Sequence, residues 1–117
     1  MKVNVVNIVE LLASSPVGDF KEVLPFNNTS LGAVDIQGVS PIWEMHPDTD
    51  EQFLVIEGVL ELELLIDAGS EFHRAGANDT MVVPTGFWHK LSAPNGAKFM
   101  YLTPGQSLHS DKADPRV

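Results

Sequence analysis

The stretch that decides the fold is GVSPIWEMHPDTDEQFLVIEG, residues 38–58. Side chains two residues apart on an extended strand point to the same face, so Glu44 and His46 project together. Turn-forming residues follow at 47–50, and an antiparallel neighbouring strand would bring Glu51 back opposite the histidine. The stretch therefore predicts two strands that gather two carboxylates and one imidazole on one face.

A second stretch, TMVVPTGFWHKL at residues 80–91, places His89 just after a Pro-x-Gly turn at the start of another strand. Taken singly, these residues have ordinary roles: His46 caps a turn, Glu51 is a solvated strand-edge acid, and His89 lies in the core. Taken together, imidazoles and carboxylates that converge inside a small barrel are ligands for Zn, Mn, Fe or Ni. The joint arrangement predicts a divalent metal site.

The rest of the chain has the pattern of one short helix followed by short strands. Asn7 stands where a helix N-cap belongs, and the helix is expected to stop at residues 14–18. LELELLI, residues 60–66, alternates Leu and Glu with the period of a half-buried strand. The candidate strands are 21–25, 31–37, 42–45, 52–57, 59–66, 71–74, 80–83, 88–92 and 98–103.

Turn signals separate these strands. Gly58 is expected to form a tight hairpin, and residues 67–70 and 84–86 are expected to form turns. Many short strands with no second helix predict an all-β sandwich or barrel.

Length and composition bound the organisation. The chain has 117 residues, with sixteen acidic and seven basic side chains and a net charge of −9. We predict one domain over 1–117, with a barrel core at about 20–103 and a loosely ordered tail at 104–117. His109, in that tail, is interpreted as a surface residue.

Charge, hydropathy and cysteine content exclude several partners. An acidic surface without a Lys/Arg cluster repels nucleic acid and anionic membranes. No apolar run approaches the roughly 20 residues that span a bilayer, and the N-terminal stretch is a poor signal peptide. The chain has no cysteine, which excludes disulfides and thiolate metal sites. We expect a cytoplasmic protein that binds neither nucleic acid nor membrane.

The order and spacing of the site residues resemble the cupins, in particular the small single-domain conserved-barrel cupins. The first cupin motif is G-x5-H-x-H-x4-E-x6-G. At those spacings this chain has Gly38, Glu44, His46, Glu51 and Gly58. Only the first histidine of the motif is changed, and glutamate takes its place.

The second cupin motif, G-x5-P-x-G-x2-H-x3-N, is matched in part. Pro84, Gly86 and His89 fit it. Asn78 stands where the first glycine is expected, and Ala93 stands where the asparagine is expected. Two motifs in the right order are a specific signal for the fold and a weak one for any activity, because this fold hosts many functions.

The resemblance covers residues 31–103 and implies a double-stranded β-helix, or jelly-roll barrel, preceded here by a short N-terminal helix. It implies a divalent metal ion held by His46, Glu51 and His89, with Glu44 at the position of the missing ligand. It also implies a homodimer, because such barrels commonly pair through exposed sheet edges.

Glu44 has three interpretations. As a fourth ligand, it would give two carboxylates and two imidazoles around the ion, with a net charge of zero. Left unligated, it would serve as a general base beside a two-His-one-carboxylate triad. In the third interpretation the metal has been lost and the barrel binds a small molecule directly, although two carboxylates without a cation would repel.

Residues that flank the proposed ligands are assigned by strand alternation. Trp43 and Trp88 belong to the opposite face, where we expect packing between sheets or at a subunit interface. Phe53 and Val55 share the ligand face and form either pocket wall or core. Arg74 is interpreted as a surface arginine.

We therefore hypothesise a small metal-binding cupin, an enzyme that acts on a small organic molecule inside the barrel with isomerase- or dioxygenase-type chemistry. The alternative is a non-catalytic module that binds or senses a small molecule. Open metal positions with a base nearby favour the enzyme, and an apolar pocket without metal favours the module.

Overall fold

The computed structural model describes residues 2–117. Within residues 2–117, one short helix precedes a single nine-stranded sheet. The elements are α1 (Ile8–Ala13), β1 (Lys21–Glu22), β2 (Thr29–Val39), β3 (Trp43–Met45), β4 (Glu51–Gly58), β5 (Leu60–Ile66), β6 (Gly69–Ala75), β7 (Thr80–Val83), β8 (His89–Pro104) and β9 (Leu108–Ser110).

The helix begins where its capping residue predicts. The side chain of Asn7 accepts a hydrogen bond from the backbone N–H of Glu10 at 3.0 Å, which satisfies one of the free donors of the first turn. Leu12 is the buried residue of the helix. Among the described residues, no helix is long and apolar enough to cross a membrane.

Strand β8 organises the sheet. β2 runs antiparallel beside it, from Thr29 opposite Pro104 to Val39 opposite Ser92. β4 and β5 follow one another along β8, because β4 pairs with its second half and β5 with its first. The sheet therefore curls, and the all-β jelly-roll architecture expected from the sequence is confirmed.

The core fills the inside of this curl. Phe53 and Phe99 pack edge to face, with ring centroids 5.5 Å apart. Alternating leucines of β5 point to the same core, as the LELELLI pattern predicts. The buried cluster consists of Val34, Phe53, Val55, Leu60, Leu62, Leu64, Ala75, Val83, Ala93, Ala97 and Phe99.

Three predictions about strands were wrong. Gly58 does adopt a positive φ of 79°, yet β4 and β5 do not pair with each other, so it forms a corner between two partners of β8 and not a hairpin. The two strands expected at 88–92 and 98–103 are one continuous strand. The stretch expected to be loose after Thr103 contains β9, which pairs with β3.

Candidate metal centre

Three neighbouring elements position the four predicted site residues. Glu44 lies in β3 directly opposite His89, the first residue of β8. His46 follows β3 by one residue, and Glu51 is the first residue of β4. Three of the four side chains therefore come from residues at or next to strand ends, and the fourth comes from the middle of the short strand β3.

The sequence predicted the contact between His46 and Glu51, but it predicted the wrong strand pairing as its cause. β3 and β4 do not pair with each other; β3 pairs with β8 and β9, and β4 pairs with β7 and β8. Glu51 nevertheless reaches His46, because the curl of the sheet brings their side chains together. The contact was predicted correctly, and the strand pairing behind it was not.

The four side chains offer ligand atoms that all lie within 4.8 Å of one another. His46 Nε2 is 3.0 Å from Glu51 Oε1 and 3.2 Å from Glu44 Oε1. His89 Nε2 is 3.1 Å from Glu51 Oε1 and 3.5 Å from Glu44 Oε1. Two imidazoles and two carboxylates thus face one point.

Both imidazole rings are oriented from behind. His89 Nδ1 lies 3.1 Å from the carbonyl oxygen of Phe87, which can only accept a hydrogen bond, so Nδ1 carries the proton. His46 Nδ1 lies 3.0 Å from Ser107 Oγ and 3.4 Å from the carbonyl oxygen of Gln106. Outer partners of this kind turn Nε2 of a ligand histidine toward its metal.

The two glutamates differ in surroundings. Glu51 is buried, and its second oxygen accepts a 2.5 Å hydrogen bond from Thr103 Oγ1. Glu44 is the most exposed member of the cluster, with 29% of its side chain accessible. The second oxygen of Glu44 lies 2.9 Å from His109 Nε2.

The cluster holds its charges in balance. Burial opposes a charge on His46, but hydrogen bonds to Glu44 and Glu51 outweigh it and raise the pKa of this histidine to about 10. The same competition raises the pKa of His89 to about 9. Burial likewise opposes ionisation of both carboxyls, and hydrogen bonds from the two histidines hold their pKa values below the usual range.

This donor set fits a divalent cation. When both imidazoles are neutral, each Nε2 presents a lone pair, and the two carboxylates supply the charge that neutralises the ion. In the metal-free protein, the protonated imidazoles of His46 and His89 neutralise the two carboxylates, as a bound cation would. His46, Glu51, His89 and Glu44 are therefore the residues that would hold the metal.

A cavity of about 800 Å³ opens above the cluster. Phe53 lines it, as one of the two interpretations of this residue predicted, whereas Val55 belongs to the core. Trp43 is buried with Lys90 Nζ 4.6 Å from its ring centroid, on the face away from the cavity as predicted. The other apolar lining residues include Phe20, Ile36, Val39, Ile42, Leu91 and Tyr101.

Two contributors to the site were missed by the sequence reasoning. His109, interpreted as a surface residue, is half-exposed but contacts Glu44, and Ser107 contacts His46. The first pair is separated by 65 positions and the second by 61. No local spacing signals such contacts, and the sequence of Leu108 to Ser110 carries little strand signal of its own.

Comparisons with known proteins support the architecture. No family model matches the chain. The uncharacterized protein YdbB of Bacillus subtilis (strain 168) is 45% identical over 49 residues, which are 41% of this chain and 40% of that protein. The match thus spans about two fifths of the relative's length.

Solved structures extend the likeness to most of the chain. A cupin-2 domain containing protein from Shewanella frigidimarina is 26% identical, with a TM-score of 0.74 over 86% of this chain and 94% of that one. Hydroquinone 1,2-dioxygenase from Sphingomonas sp. TTNP3, with 4-hydroxybenzoate bound, is 17% identical, with a TM-score of 0.72 over 86% and 74%.

Oxalate decarboxylase of Bacillus subtilis, a protein with Mn(II) centres, is 16% identical, with a TM-score of 0.60 over 69% of this chain and 23% of that one. At such identities the two enzymes inform on the fold alone. The curled sheet, the two motifs and these structural likenesses together show that the chain has the fold of the cupin superfamily.

Proposed function

We propose that the protein is a metal-dependent cupin enzyme that acts on a small organic molecule inside the barrel. The observation that carries this proposal is the convergence of four donor side chains within 4.8 Å at the floor of a cavity. Structural relatives include a dioxygenase and a protein with Mn(II) centres.

The metal, when bound, would polarise a substrate oxygen or support oxygen chemistry, depending on its identity. Mn, Fe, Zn and Ni all accept imidazole and carboxylate ligands, and the two carboxylates favour Mn, Fe or Zn over Ni. His46, Glu51 and His89 are nearly inaccessible to solvent and would serve as structural ligands.

Glu44 is the member that a substrate can reach. Its side chain is 29% accessible, against 5% or less for the other three. A carboxylate at the boundary between the ligand cluster and the cavity can bind the ion with one oxygen or accept a proton from a bound substrate. We assign it the catalytic role and leave its ligand role to experiment.

The residues of the cavity wall support a proposal for the class of substrate. Among the described residues that line the cavity there is no lysine or arginine, and the two carboxylates offset the charge of a divalent ion. Arg74 lies on the outer face, where Glu61 Oε1 is 3.6 Å from its Nε. We infer a small, neutral or weakly polar organic molecule, whose apolar part contacts side chains such as Phe53 and Leu91.

Metal analysis tests the proposal. The untagged protein is purified without added metal or chelator, beside His89→Ala and with His73→Ala as a matched surface control. Near-stoichiometric Mn, Fe, Zn or Ni in the wild type and the control, and its loss in His89→Ala, would support the enzyme. Iron directs the search to oxygen consumption, which indicates dioxygenase-type chemistry, whereas zinc or manganese directs it to isomerase substrates.

A second candidate function is a binding module without metal. The observation that favours it is the completeness of the cluster: among residues 2–117, no buried side-chain nitrogen or oxygen lacks a hydrogen-bond partner. Protonated histidines can therefore satisfy the carboxylates alone. A folded protein that neither contains nor takes up metal, yet binds a small apolar ligand, would establish this function.

A homodimer is part of the same proposal. Strands β6 and β7 each have one pairing partner in the described chain, and they carry the exposed side chains of Phe72 and Val82. Such edges favour pairing with a second copy. Sedimentation velocity would test it, and the cytoplasmic location stays a prediction.

A further inference from the structure

We propose that the C-terminal segment at 105–110 completes the metal centre, and that His109 is the positioning residue that orients Glu44 toward the ion. This inference rests on the proposed function, because it assigns a role relative to the metal. It adds a residue from outside both cupin motifs to the site.

The segment is held against the site by its backbone. Trp43, Glu44 and Met45 of β3 pair in register with Ser110, His109 and Leu108 of β9. Glu44 and His109 are therefore direct cross-strand neighbours, whose side chains share one face of the sheet. Their contact therefore follows from the strand register and does not depend on the conformation of a mobile surface side chain.

The contact divides the two oxygens of Glu44 between two tasks. Oε1 lies 3.2 Å from His46 Nε2 and 3.5 Å from His89 Nε2, at the centre of the cluster. Oε2 lies 2.9 Å from His109 Nε2. A carboxylate that is hydrogen-bonded through one oxygen presents its other oxygen in a defined direction. His109 would thus act on Glu44 as outer hydrogen-bond partners act on metal ligands in other proteins.

The same segment supports a second member of the cluster. Ser107 Oγ and the carbonyl oxygen of Gln106 both lie behind His46 Nδ1. Gly105, Ser107 and His109 also line the cavity. One short segment thus orients two of the four donors and forms part of the wall beside them.

The position of Glu44 explains why such support is needed. A glutamate has more rotatable bonds than the histidine that the cupin motif expects at this position, and ordering it costs more side-chain entropy. Glu44 is also the least buried of the four. The imidazole of His109 offsets part of that cost by holding the carboxylate in place.

Titration with Co²⁺, followed by calorimetry and by visible absorption, tests the inference on the full chain. The variants are His109→Ala, the conservative His109→Gln and the control His73→Ala. His73 is a fitting control because its Nε2 lies 3.1 Å from Glu71 Oε2 on an exposed strand, and it does not line the cavity. Glu44→Gln and His89→Ala each change a proposed metal ligand, so they show how the titration responds when a ligand is lost.

We expect His109→Ala to bind Co²⁺ about tenfold more weakly than the wild type. Its Co²⁺ absorption should shift in the same direction as that of Glu44→Gln, while the melting temperature of the metal-free protein stays near that of the wild type. His109→Gln keeps an N–H group that can donate a hydrogen bond to Glu44, so it should recover most of the affinity. His73→Ala should match the wild type.

Two results would overturn the inference, and they are distinguishable. If the wild type binds Co²⁺, His89→Ala does not, and His109→Ala matches the wild type in affinity and spectrum, His109 has no positioning role while the proposed function stands. If the folded wild type binds no Co²⁺, the proposed function fails and this inference fails with it.

Discussion

The chain contains the triplet Glu-x-His twice, and among the described residues only the first of the two contributes to the candidate metal centre. Glu44 and His46 are 3.2 Å apart at the cavity floor, and Glu71 and His73 are 3.1 Å apart on an exposed part of β6. The side chain of His46 is 3% accessible, whereas that of His73 is 51% accessible. Spacing alone makes a pair, but further donors from other strands are what make a site.

The energetic weight of the two pairs follows from their surroundings. Exposed ion pairs contribute little, because water screens the charges and the side chains lose freedom. A buried cluster is costly to break, because removal of one member leaves its partners desolvated and unpaired. Substitutions at the two triplets and their neighbours should therefore have very different consequences.

The largest effect is expected from Glu51→Gln, compared with Glu71→Gln on the surface. Glu51 Oε1 lies within 3.1 Å of both imidazoles, so its neutralisation leaves two buried histidines without their main partner. In metal-free protein the free energy of unfolding should fall by about 3–5 kcal/mol. Urea unfolding measures it, and a Glu71→Gln variant that loses as much would refute the comparison.

The pH dependence of stability sharpens the same contrast. In metal-free protein the folded-state pKa values of His46 and His89 are raised to about 10 and about 9, so their contribution is fully present below about 6.5. It should be lost as pH rises toward 9–10. The lowered pKa of Glu51 adds a contribution that is present above about 4.5 and lost in acid.

The melting temperature, measured by thermal unfolding at pH values from about 4 to 10, gives this pH profile of stability. His89→Ala should weaken the alkaline loss, and His73→Ala should leave it unchanged. An alkaline loss of equal size in wild type and His89→Ala would contradict the assignment of the transition to the buried cluster.

Thr103→Val should have an intermediate effect. The Thr103 hydroxyl donates a 2.5 Å hydrogen bond to the buried carboxylate of Glu51, and a bond to a charged group contributes about 1.5–3 kcal/mol. The matched surface-side variant is Ser70→Ala, because Ser70 Oγ donates to Glu63 Oε2 at 2.7 Å. Chemical denaturation of both variants should show the larger loss for Thr103→Val.

The smallest effect is expected from His73→Ala. Its imidazole has one exposed carboxylate partner, so neither the unfolding free energy nor Mn²⁺ affinity should change measurably. Calorimetric titration with Mn²⁺ checks the affinity. A clear loss of metal binding in this variant would place a metal site on the exposed Glu71–His73 pair and contradict the contrast between the two triplets.

The sequence predicted the four site residues because motif spacing is a local property. Glu44 and His46 share a strand face, and the Pro-x-Gly turn fixes where His89 begins its strand. Gly58 shows the limit of such reasoning. A glycine between two strand patterns predicts a turn, and Gly58 does have a positive φ, but a turn does not specify which strands pair on either side of it. Pairing depends on the curl of the whole sheet.

The part of the site that the sequence did not predict comes from the C-terminal segment. Residues 104–117 are rich in polar and turn-forming side chains, which made the segment resemble a loose tail. β9 has three residues and gains its place from pairing with β3. Such short strands are defined by their partner, so their own sequence carries little signal.

Crystallographic anomalous scattering, measured at the absorption edge of the metal that the protein contains, locates the ion itself. We expect one peak at the cavity floor, about 2.0–2.2 Å from Nε2 of His46 and His89 and from a carboxylate oxygen of Glu51. The presence or absence of Glu44 at the same distance decides between ligand and base. A metal-loaded crystal with its peak elsewhere, or with no peak among these four side chains, would show that they are not the metal centre.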